Sequence, residues 1–339
     1  MTRKTLIAAA ALLCAFGASA QTSINLGNYE LSGNYTLATL GGLGLEASAV
    51  TYARDRGTLF FVGDEGPGVV EISLTGQALG SMAFNWAGTG SSNNDAEGLT
   101  YLGNGQLVVV DERPQIAYQF AYTAGGTVTL ANQPRASVGS TAGNVGNVGT
   151  EGISFDARDG SFFSVKQDNP LELRGGGLTF STSGGTSSMT TLFSGAQSLF
   201  GVNSFSDIQT LSPVDALVGT AAADNLLILS LDSRRLIEVT RSGQVLSSFD
   251  LSGVTTQAIE GVTIDEKGTI YLVAENAGTG SPNSRLFVLN TVAAVPEPES
   301  YALMLAGLGV IGWMARRRKV LPKAQPAVTS AGTGARSCG

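Results

Sequence analysis

The chain has 339 residues, of which 14% are charged and 45 are glycine, and it contains no histidine. The absence of histidine excludes histidine-dependent catalysis, and it also excludes metal sites that use histidine ligands. Residues 21–294 contain 12 basic and 25 acidic residues, a net charge of −13, which disfavours nucleic acid and anionic lipid as partners. Because Cys14 and Cys338 lie in the end segments, any metal site in this body must use oxygen ligands.

Residues 1–20 have the pattern of a signal peptide. Arg3 and Lys4 precede an apolar run over residues 6–16, and Ala18-Ser19-Ala20 forms a small-residue cleavage site before Gln21. This pattern predicts export.

A short β-type motif recurs along residues 48–264. Its five copies begin at Ser48, Glu97, Glu151, Ser206 and Glu260, at intervals of 49, 54, 55 and 54 residues. Turn dipeptides such as Asn-Gly and Asp-Gly follow several copies, which is a hairpin signal. A single hairpin cannot bury its apolar face, so the copies must stack. A period near fifty made of short β runs is typical of β-propeller blades.

The two ends of the repeat region predict how the ring closes. Residues 22–47 alternate between polar and apolar side chains, and the last repeat is shorter than the others. We expect the N-terminal strands to complete the final blade, which removes an open sheet edge. The predicted fold is all-β: a five-bladed β-propeller over residues 21–294.

Glu97, Glu151 and Glu260 occupy the same position in three repeats, so a propeller places them in one ring at its channel. Carboxylates that converge in low dielectric repel one another, and either their pKa values rise or a cation neutralises them. Calcium, which takes about six to eight oxygen ligands, suits the set better than magnesium, whose geometry is stricter. The alternative is that these side chains only accept hydrogen bonds from backbone amides of neighbouring blades.

A second group of acids follows the hairpins, at the end of the second strand of each repeat. These acids are predicted either to complete a ligand shell or to be solvated turn residues, and Asp207, in the fourth repeat, is grouped with them. Arg113 and Lys166 are the nearest basic residues, predicted either to pair with these acids or to grip an anionic substrate. The group consists of Asp64, Glu65, Asp111, Glu112, Asp168, Asp207 and Glu275.

The repeats also resemble a known family. Asp95-Ala96-Glu97-Gly98-Leu99-Thr100-Tyr101, Asp111-Glu112-Arg113, Lys166-Gln167-Asp168-Asn169-Pro170 and Ile259-Glu260-Gly261-Val262 are similar to motifs of the SdiA-regulated family, over roughly residues 43–290. The resemblance implies a five-bladed propeller, distantly similar to NHL-type propellers, and a calcium site. Two positions depart from the family pattern, Gln167 in place of an acid and Asp207 in place of a glycine.

The composition changes after Val295. Pro296, Glu297 and Pro298 precede an apolar stretch, residues 301–315, and then Arg316, Arg317 and Arg318. This order resembles the PEP-CTERM sorting signal, which implies an exosortase-type sorting enzyme as partner. Fifteen helical residues span about 22 Å, less than a bilayer core of about 30 Å, so we expect transient anchoring in the inner membrane. The sorting segment is predicted over residues 295–319 and a disordered tail over 320–339.

Three functions compete on these observations. The leading hypothesis is an exported, surface-sorted, calcium-binding propeller that serves as a binding or structural module in an exopolysaccharide matrix, with a polysaccharide or a surface protein as partner. It would pass through an inner-membrane intermediate to the periplasm, cell surface or matrix. The second is a calcium-dependent phosphoesterase or lactonase-like hydrolase with Glu97 or Glu151 as base, although no catalytic motif is visible. The third is a metal-free protein–protein scaffold.

Overall fold

The computed structural model describes residues 21–37, 40, 46–64, 67–195, 198–275, 284–292 and 306–313. The chain divides into two units, Met1–Val292 and Ala293–Gly339. The first unit is built from short strands, with 3-10 turns at Leu26–Asn28, Leu130–Asn132, Leu199–Gly201, Asp215–Leu217 and Ala221–Asp224. The strands are β1 (Tyr29–Thr36), β2 (Ala47–Ala53), β3 (Thr58–Gly63), β4 (Gly68–Ile72), β5 (Ala78–Asn85), β6 (Ala96–Gly103), β7 (Gln106–Asp111), β8 (Ile116–Ala121), β9 (Thr127–Thr129), β10 (Arg135–Ser137), β11 (Thr150–Asp156), β12 (Ser161–Lys166), β13 (Leu171–Gly176), β14 (Leu178–Thr179), β15 (Thr186–Ser187), β16 (Thr190–Gly195), β17 (Asp207–Thr210), β18 (Leu226–Ser230), β19 (Arg235–Val239), β20 (Val245–Asp250), β21 (Ile259–Ile264), β22 (Ile270–Ala274) and β23 (Arg285–Thr291).

Five antiparallel sheets form the five blades of a propeller, as the repeats predict. From the inner strand outward they are β2-β3-β4-β5, β6-β7-β8-β10, β11-β12-β13-β16, β17-β18-β19-β20 and β21-β22-β23-β1. Blade 1 gains β9, which pairs in parallel with β5, and β14 and β15 form a separate small hairpin. The inner strands β2, β6, β11, β17 and β21 contact one another in a closed circle, and the space they surround is the central channel.

The N-terminal strand closes the ring. Strand β1 pairs antiparallel with β23 as the outermost strand of the last blade, in a register that runs from Tyr29 opposite Thr291 to Thr36 opposite Arg285. The last blade is therefore built from both ends of the domain, which confirms the predicted closure.

The hydrophobic core lies between the blades rather than within any one of them. Alternate side chains of a strand point to opposite faces, and in β7 Leu107 and Val109 pack toward blade 1 while Val108 and Val110 pack toward blade 3. Both faces of the middle strands are therefore buried, which explains why they read as unbroken apolar runs such as Leu226–Leu229.

A closed ring of side-chain hydrogen bonds joins the inner strands around the channel. At the fourth position of each repeat, a hydroxyl or amide oxygen accepts a hydrogen bond from the next blade. The bonds run from Tyr101 N to Thr51, from Phe155 N to Thr100, from Thr210 N to Ser154, from the Thr263 hydroxyl to Gln209 and from Tyr52 N to Thr263, all 3.0 or 3.1 Å long. Inner-strand amides that face the channel side have no strand partner there, so these side chains satisfy them.

In the second unit the structure describes one helix, residues 306–313, inside the predicted apolar stretch. Among the described residues, no helix has both the length and the apolarity to cross a membrane. Transient anchoring through residues 301–315 stays a prediction. The predicted signal peptide, the Pro-Glu-Pro residues, Arg316, Arg317, Arg318 and the predicted tail lie outside the described residues.

Replacing Thr100 by valine tests the hydrogen-bond ring. Thr100 is 4% exposed and its hydroxyl accepts the Phe155 amide, so valine leaves a buried N–H without a partner. We expect the free energy of unfolding to fall by about 1–3 kcal/mol. Chemical denaturation measures this change, and Thr127→Val, at an exposed strand position, is the matched control with no expected loss. Equal stability of the two variants would show that the ring contributes nothing.

Candidate functional site

The repeated glutamates project toward the channel because each one lies on a β-bulge. The register between the inner strand and the second strand shifts between Ala96 and Gly98, between Thr150 and Gly152, and between Ile259 and Gly261. In each case the residue skipped by the ladder is the glutamate. A bulge leaves one residue unpaired and redirects its side chain, which is how a strand pattern yields a ring of carboxyl groups.

The glycines after Glu151 and Glu260 permit close packing of adjacent inner strands. A Cβ atom on Gly152 would lie 2.6 Å from Asp207 Oδ1 and 2.7 Å from Asp207 Cα, and one on Gly261 would lie 2.9 Å from Ala49 Cα. These contacts are too short for any side chain. The Glu-Gly pair thus combines a channel-facing carboxyl group with the close approach of the next blade.

The three glutamates share one electrostatic environment. Burial raises the pKa of Glu97 well above its usual range, and repulsion from Glu260 adds to this effect. Burial, followed by repulsion from Glu97, likewise raises the pKa of Glu151. Burial and repulsion from Glu275 raise the pKa of Glu260 from 4.5 to about 8. The pKa values of all three carboxyl groups that the repeats align are therefore raised by burial and by neighbouring carboxyl groups.

Glu151 belongs to an acid cluster with Glu112 and Asp95. The carboxyl groups of Asp95 and Glu151 act on the pKa of Glu112, and repulsion from Glu112 helps to raise the pKa of Glu151. Glu112 Oε1 accepts the Gly149 amide at 2.7 Å, but burial still raises the pKa of Glu112 to about 7. Sequence reasoning did not select Asp95, although it lies two residues before Glu97 in the same motif.

Arg113 is committed to this cluster. Its Nε donates to Asp95 Oδ2 at 2.5 Å and its Nη2 donates to Asn147 Oδ1 at 2.5 Å. Lys166 is 7% exposed and donates to the backbone carbonyl of Asp168. Burial lowers the pKa of Lys166, and the carboxyl groups around it oppose that effect. Both basic residues therefore have protein acceptors, although Arg113 pairs most closely with Asp95 and Lys166 donates to a backbone carbonyl rather than to a carboxylate.

Asp207 holds two blades together rather than facing the other acids as a free ligand. Its Oδ1 accepts the Ile208 amide and its Oδ2 accepts the Val262 amide of blade 5, both at 2.8 Å. Burial nevertheless raises its pKa well above the usual range. Asp207 therefore accepts a backbone amide of a neighbouring blade, which is the role predicted as the alternative for the glutamates.

The second group of acids divides by position. Asp64 contributes to the repulsion that raises the pKa of Glu97 and Glu260, so it lies on the same side of the ring. Glu275 acts on Glu260 in the same way, and burial and repulsion from Glu46 raise its own pKa. Asp168 is a turn residue whose carboxylate accepts the Asn169 amide at 2.7 Å. Glu65 lies outside the described residues.

Asp111 is separate from the ring and fully buried at 0% exposure. Its Oδ1 accepts the Ser91 hydroxyl at 3.2 Å, while its Oδ2 has no hydrogen-bond partner in the described part of the chain. Burial raises its pKa to about 7.

The donor set suits a hard cation in chemistry, since it consists of oxygen ligands and lacks histidine. Within the described ranges, however, no three acidic side chains already converge closely enough to hold one ion. A cation at the ring would have to draw Glu97, Glu151 and Glu260 together.

Comparison with known proteins agrees with this architecture. The family model described as SdiA-regulated matches residues 22–278, which is most of the propeller. The chain belongs to the SdiA-regulated family. The model of the PEP-CTERM protein-sorting motif matches residues 294–319, so this SdiA-regulated protein carries a signal for export and sorting to the cell surface that an exosortase recognises.

Several solved structures are similar at low identity. A luciferin-regenerating enzyme is 10% identical, with 78% of this chain and 96% of that chain covered and a TM-score of 0.44. A chain of a nidogen/laminin complex is 12% identical over 68% and 73%, with a TM-score of 0.40. The β-propeller domain of Cps50 (Swd1) from Myceliophteria thermophila is 11% identical over 75% and 71%, with a TM-score of 0.35. None of these likenesses informs the function of this chain.

Glu260→Gln is expected to flatten the dependence of stability on pH. The pKa of Glu260 is about 8 in the folded protein against an ordinary value of 4.5, so the folded state keeps a proton that the unfolded chain has lost. The free energy of unfolding should therefore fall as the pH rises through this window, by about 1.4 kcal/mol per pH unit for this group at most. Glutamine cannot ionise and removes that contribution.

Denaturant unfolding in chelator, between about pH 5 and about pH 8, measures the slope. Glu30→Gln, at an exposed position of β1, is the control and should retain the wild-type slope. A wild-type slope in Glu260→Gln would contradict the raised pKa.

Proposed function

We propose that this exported propeller binds calcium through the carboxyl groups of its channel and serves as a binding or structural module in an extracellular polysaccharide matrix. The observation that carries the proposal is the ring of Glu97, Glu151 and Glu260, whose pKa values are raised by burial and by repulsion from nearby carboxyl groups. The sorting motif at residues 294–319 supports an extracytoplasmic role.

A cation would relieve the electrostatic cost of this ring. Without one, the carboxyl groups remain neutral only by holding protons, and ionisation leaves like charges near one another. A divalent cation replaces those protons and lets the side chains ionise. Glu97, Glu151 and Glu260 would supply the first ligands, with Asp64 and Glu275 on the same side of the ring.

Calcium is favoured over magnesium because the side chains must move inward to form a complete shell. Calcium accepts variable ligand numbers and distances, and it takes backbone carbonyls and water as additional ligands. Magnesium demands near-octahedral geometry and gives up its own water reluctantly. A site whose acids do not yet converge is better matched to the more tolerant ion.

A matrix role is supported by charge and destination. The body, residues 21–294, has a net charge of −13, so binding of anionic polymers would depend on bridging cations, whereas neutral polymers meet no such barrier. The hydrolase alternative is less well supported. It needs Arg113 or Lys166 to grip an anionic group, and both side chains already donate to protein acceptors.

Calcium is expected to stabilise the protein and to displace protons when it binds. Above the dissociation constant, each tenfold rise in calcium should add about 1.4 kcal/mol to the free energy of unfolding. Because the pKa of Glu260 is about 8, binding near pH 7 should release protons. Calorimetry in two buffers of different ionisation enthalpy measures the proton release, and thermal melts measure the stabilisation.

Glu97→Gln and Glu151→Gln should each weaken the calcium response, whereas Glu30→Gln should not. Magnesium should stabilise less than calcium at the same concentration. An unchanged melting temperature at millimolar calcium would overturn the proposal. Turnover of a phosphoester or lactone that chelator abolishes would instead support the hydrolase.

A further inference from the structure

A cavity lies at the end of the channel opposite the carboxyl ring. The glutamates lie near the start of the inner strands, whereas this cavity, of about 480 Å³, is lined by residues at and just beyond the ends of the same strands. Its volume falls within the range of about 300–1,000 Å³ found for small-molecule sites. No residue assigned above to the carboxyl ring lines it.

The lining is dominated by three aromatic residues in equivalent repeat positions. Tyr52, Tyr101 and Phe155 each follow the residue of the hydrogen-bond ring in blades 1, 2 and 3, and their backbone amides donate to that ring. All three are half-buried. The ring of Tyr101 stacks on Phe60, with centroids 5.8 Å apart, and that of Phe155 packs against Phe162 at 4.9 Å. The aromatic surfaces are thus held in place before any ligand arrives.

Polar groups at the rim offer both donors and acceptors. Arg54 Nη2 pairs with both oxygens of Asp215, at 2.8 and 3.0 Å, and its Nη1 donates to the Pro213 carbonyl. Asp55 Oδ2 accepts the Asn104 amide at 3.0 Å, which leaves the Asn104 side chain on the cavity wall. The one basic side chain in the lining is neutralised by Asp215, and Asp55 adds a negative charge. Phosphate, carboxylate and sulfate ligands are therefore disfavoured.

We infer that this cavity binds a neutral saccharide unit. Flat aromatic faces suit the apolar C–H faces of a sugar ring, and the mixture of amide, carboxylate and guanidinium groups suits its hydroxyls, which both donate and accept. The excess of negative charge favours an uncharged sugar over an acidic one. The inference rests on the proposed matrix role for its setting, but its residues are distinct from the carboxyl ring, so the two can fail separately.

Titration of the full chain with neutral oligosaccharides tests the inference. Calorimetry and saturation-transfer NMR compare four ligands: a hexasaccharide of α-linked glucose, a hexasaccharide of β-linked glucose, a galacturonate oligomer, and choline. We expect a neutral oligosaccharide to bind, the galacturonate oligomer not to bind, and the affinity to be unchanged in chelator. Phe155→Ala and Tyr52→Ala should each lower the affinity by about tenfold or more.

Tyr35→Ala is the matched control, because Tyr35 is a half-buried tyrosine on the outer strand β1 and does not line this cavity. It should leave saccharide affinity unchanged. Melting temperatures of all variants separate loss of binding from loss of folding. Asn104→Asp, at an exposed turn residue of the cavity wall, adds a second variant that spares the core. The inference is overturned if no neutral oligosaccharide binds, or if choline is the one ligand that binds. It is also overturned if Tyr35→Ala and Phe155→Ala bind the saccharide with equal affinity.

Repeating the saccharide titration with chelator and with calcium distinguishes failure of the saccharide site from failure of the proposed calcium site. If calcium stabilises the protein but no saccharide binds, only the inferred saccharide site is refuted. If a saccharide binds but calcium has no effect on stability, only the proposed calcium site is refuted.

Discussion

The circular chain of hydrogen bonds through Thr51, Thr100, Ser154, Gln209 and Thr263 is the constraint on which the rest of the structure depends. In a propeller, the inner strands converge on an axis and lack a sheet partner on that side. Their amides must be satisfied in a space too narrow for another strand. Short polar side chains at one repeat position meet this need and also fix the distance between neighbouring blades.

Close convergence of the inner strands has two structural consequences at the start of each strand. The backbone can approach the next blade only where no Cβ intervenes, which requires Gly152 and Gly261 at their positions. The adjacent bulge turns the glutamate toward the channel, where burial and repulsion raise its pKa. Tight packing and an electrostatically costly ring thus arise from the same local geometry.

The two ends of the channel differ in chemistry because successive positions of one motif face different surroundings. The first position of the motif carries carboxyl groups, and the fifth carries Tyr52, Tyr101 and Phe155. Strand polarity is the same in every blade, so each position forms its own ring. One scaffold therefore presents an acidic end and an aromatic end, separated by the ring of hydrogen bonds. Both patterns are incomplete around the circle: the first position is Ser48 in blade 1 and Ser206 in blade 4, and the fifth is Thr210 in blade 4 and Ile264 in blade 5.

The sequence by itself determined the five blades, the closing N-terminal strand, the family and the sorting motif, because each depends on spacing and order along the chain. It also predicted that Glu97, Glu151 and Glu260 form one ring, since equal repeat positions become neighbours in a closed circle. Only the tertiary structure decided that bulges aim these side chains, that Arg113 and Asp95 complete the acid cluster and that Asp207 is a brace between blades. A repeat period reports where a residue lies along a strand, whereas side-chain direction, burial and pKa depend on the residues that distant blades bring alongside it.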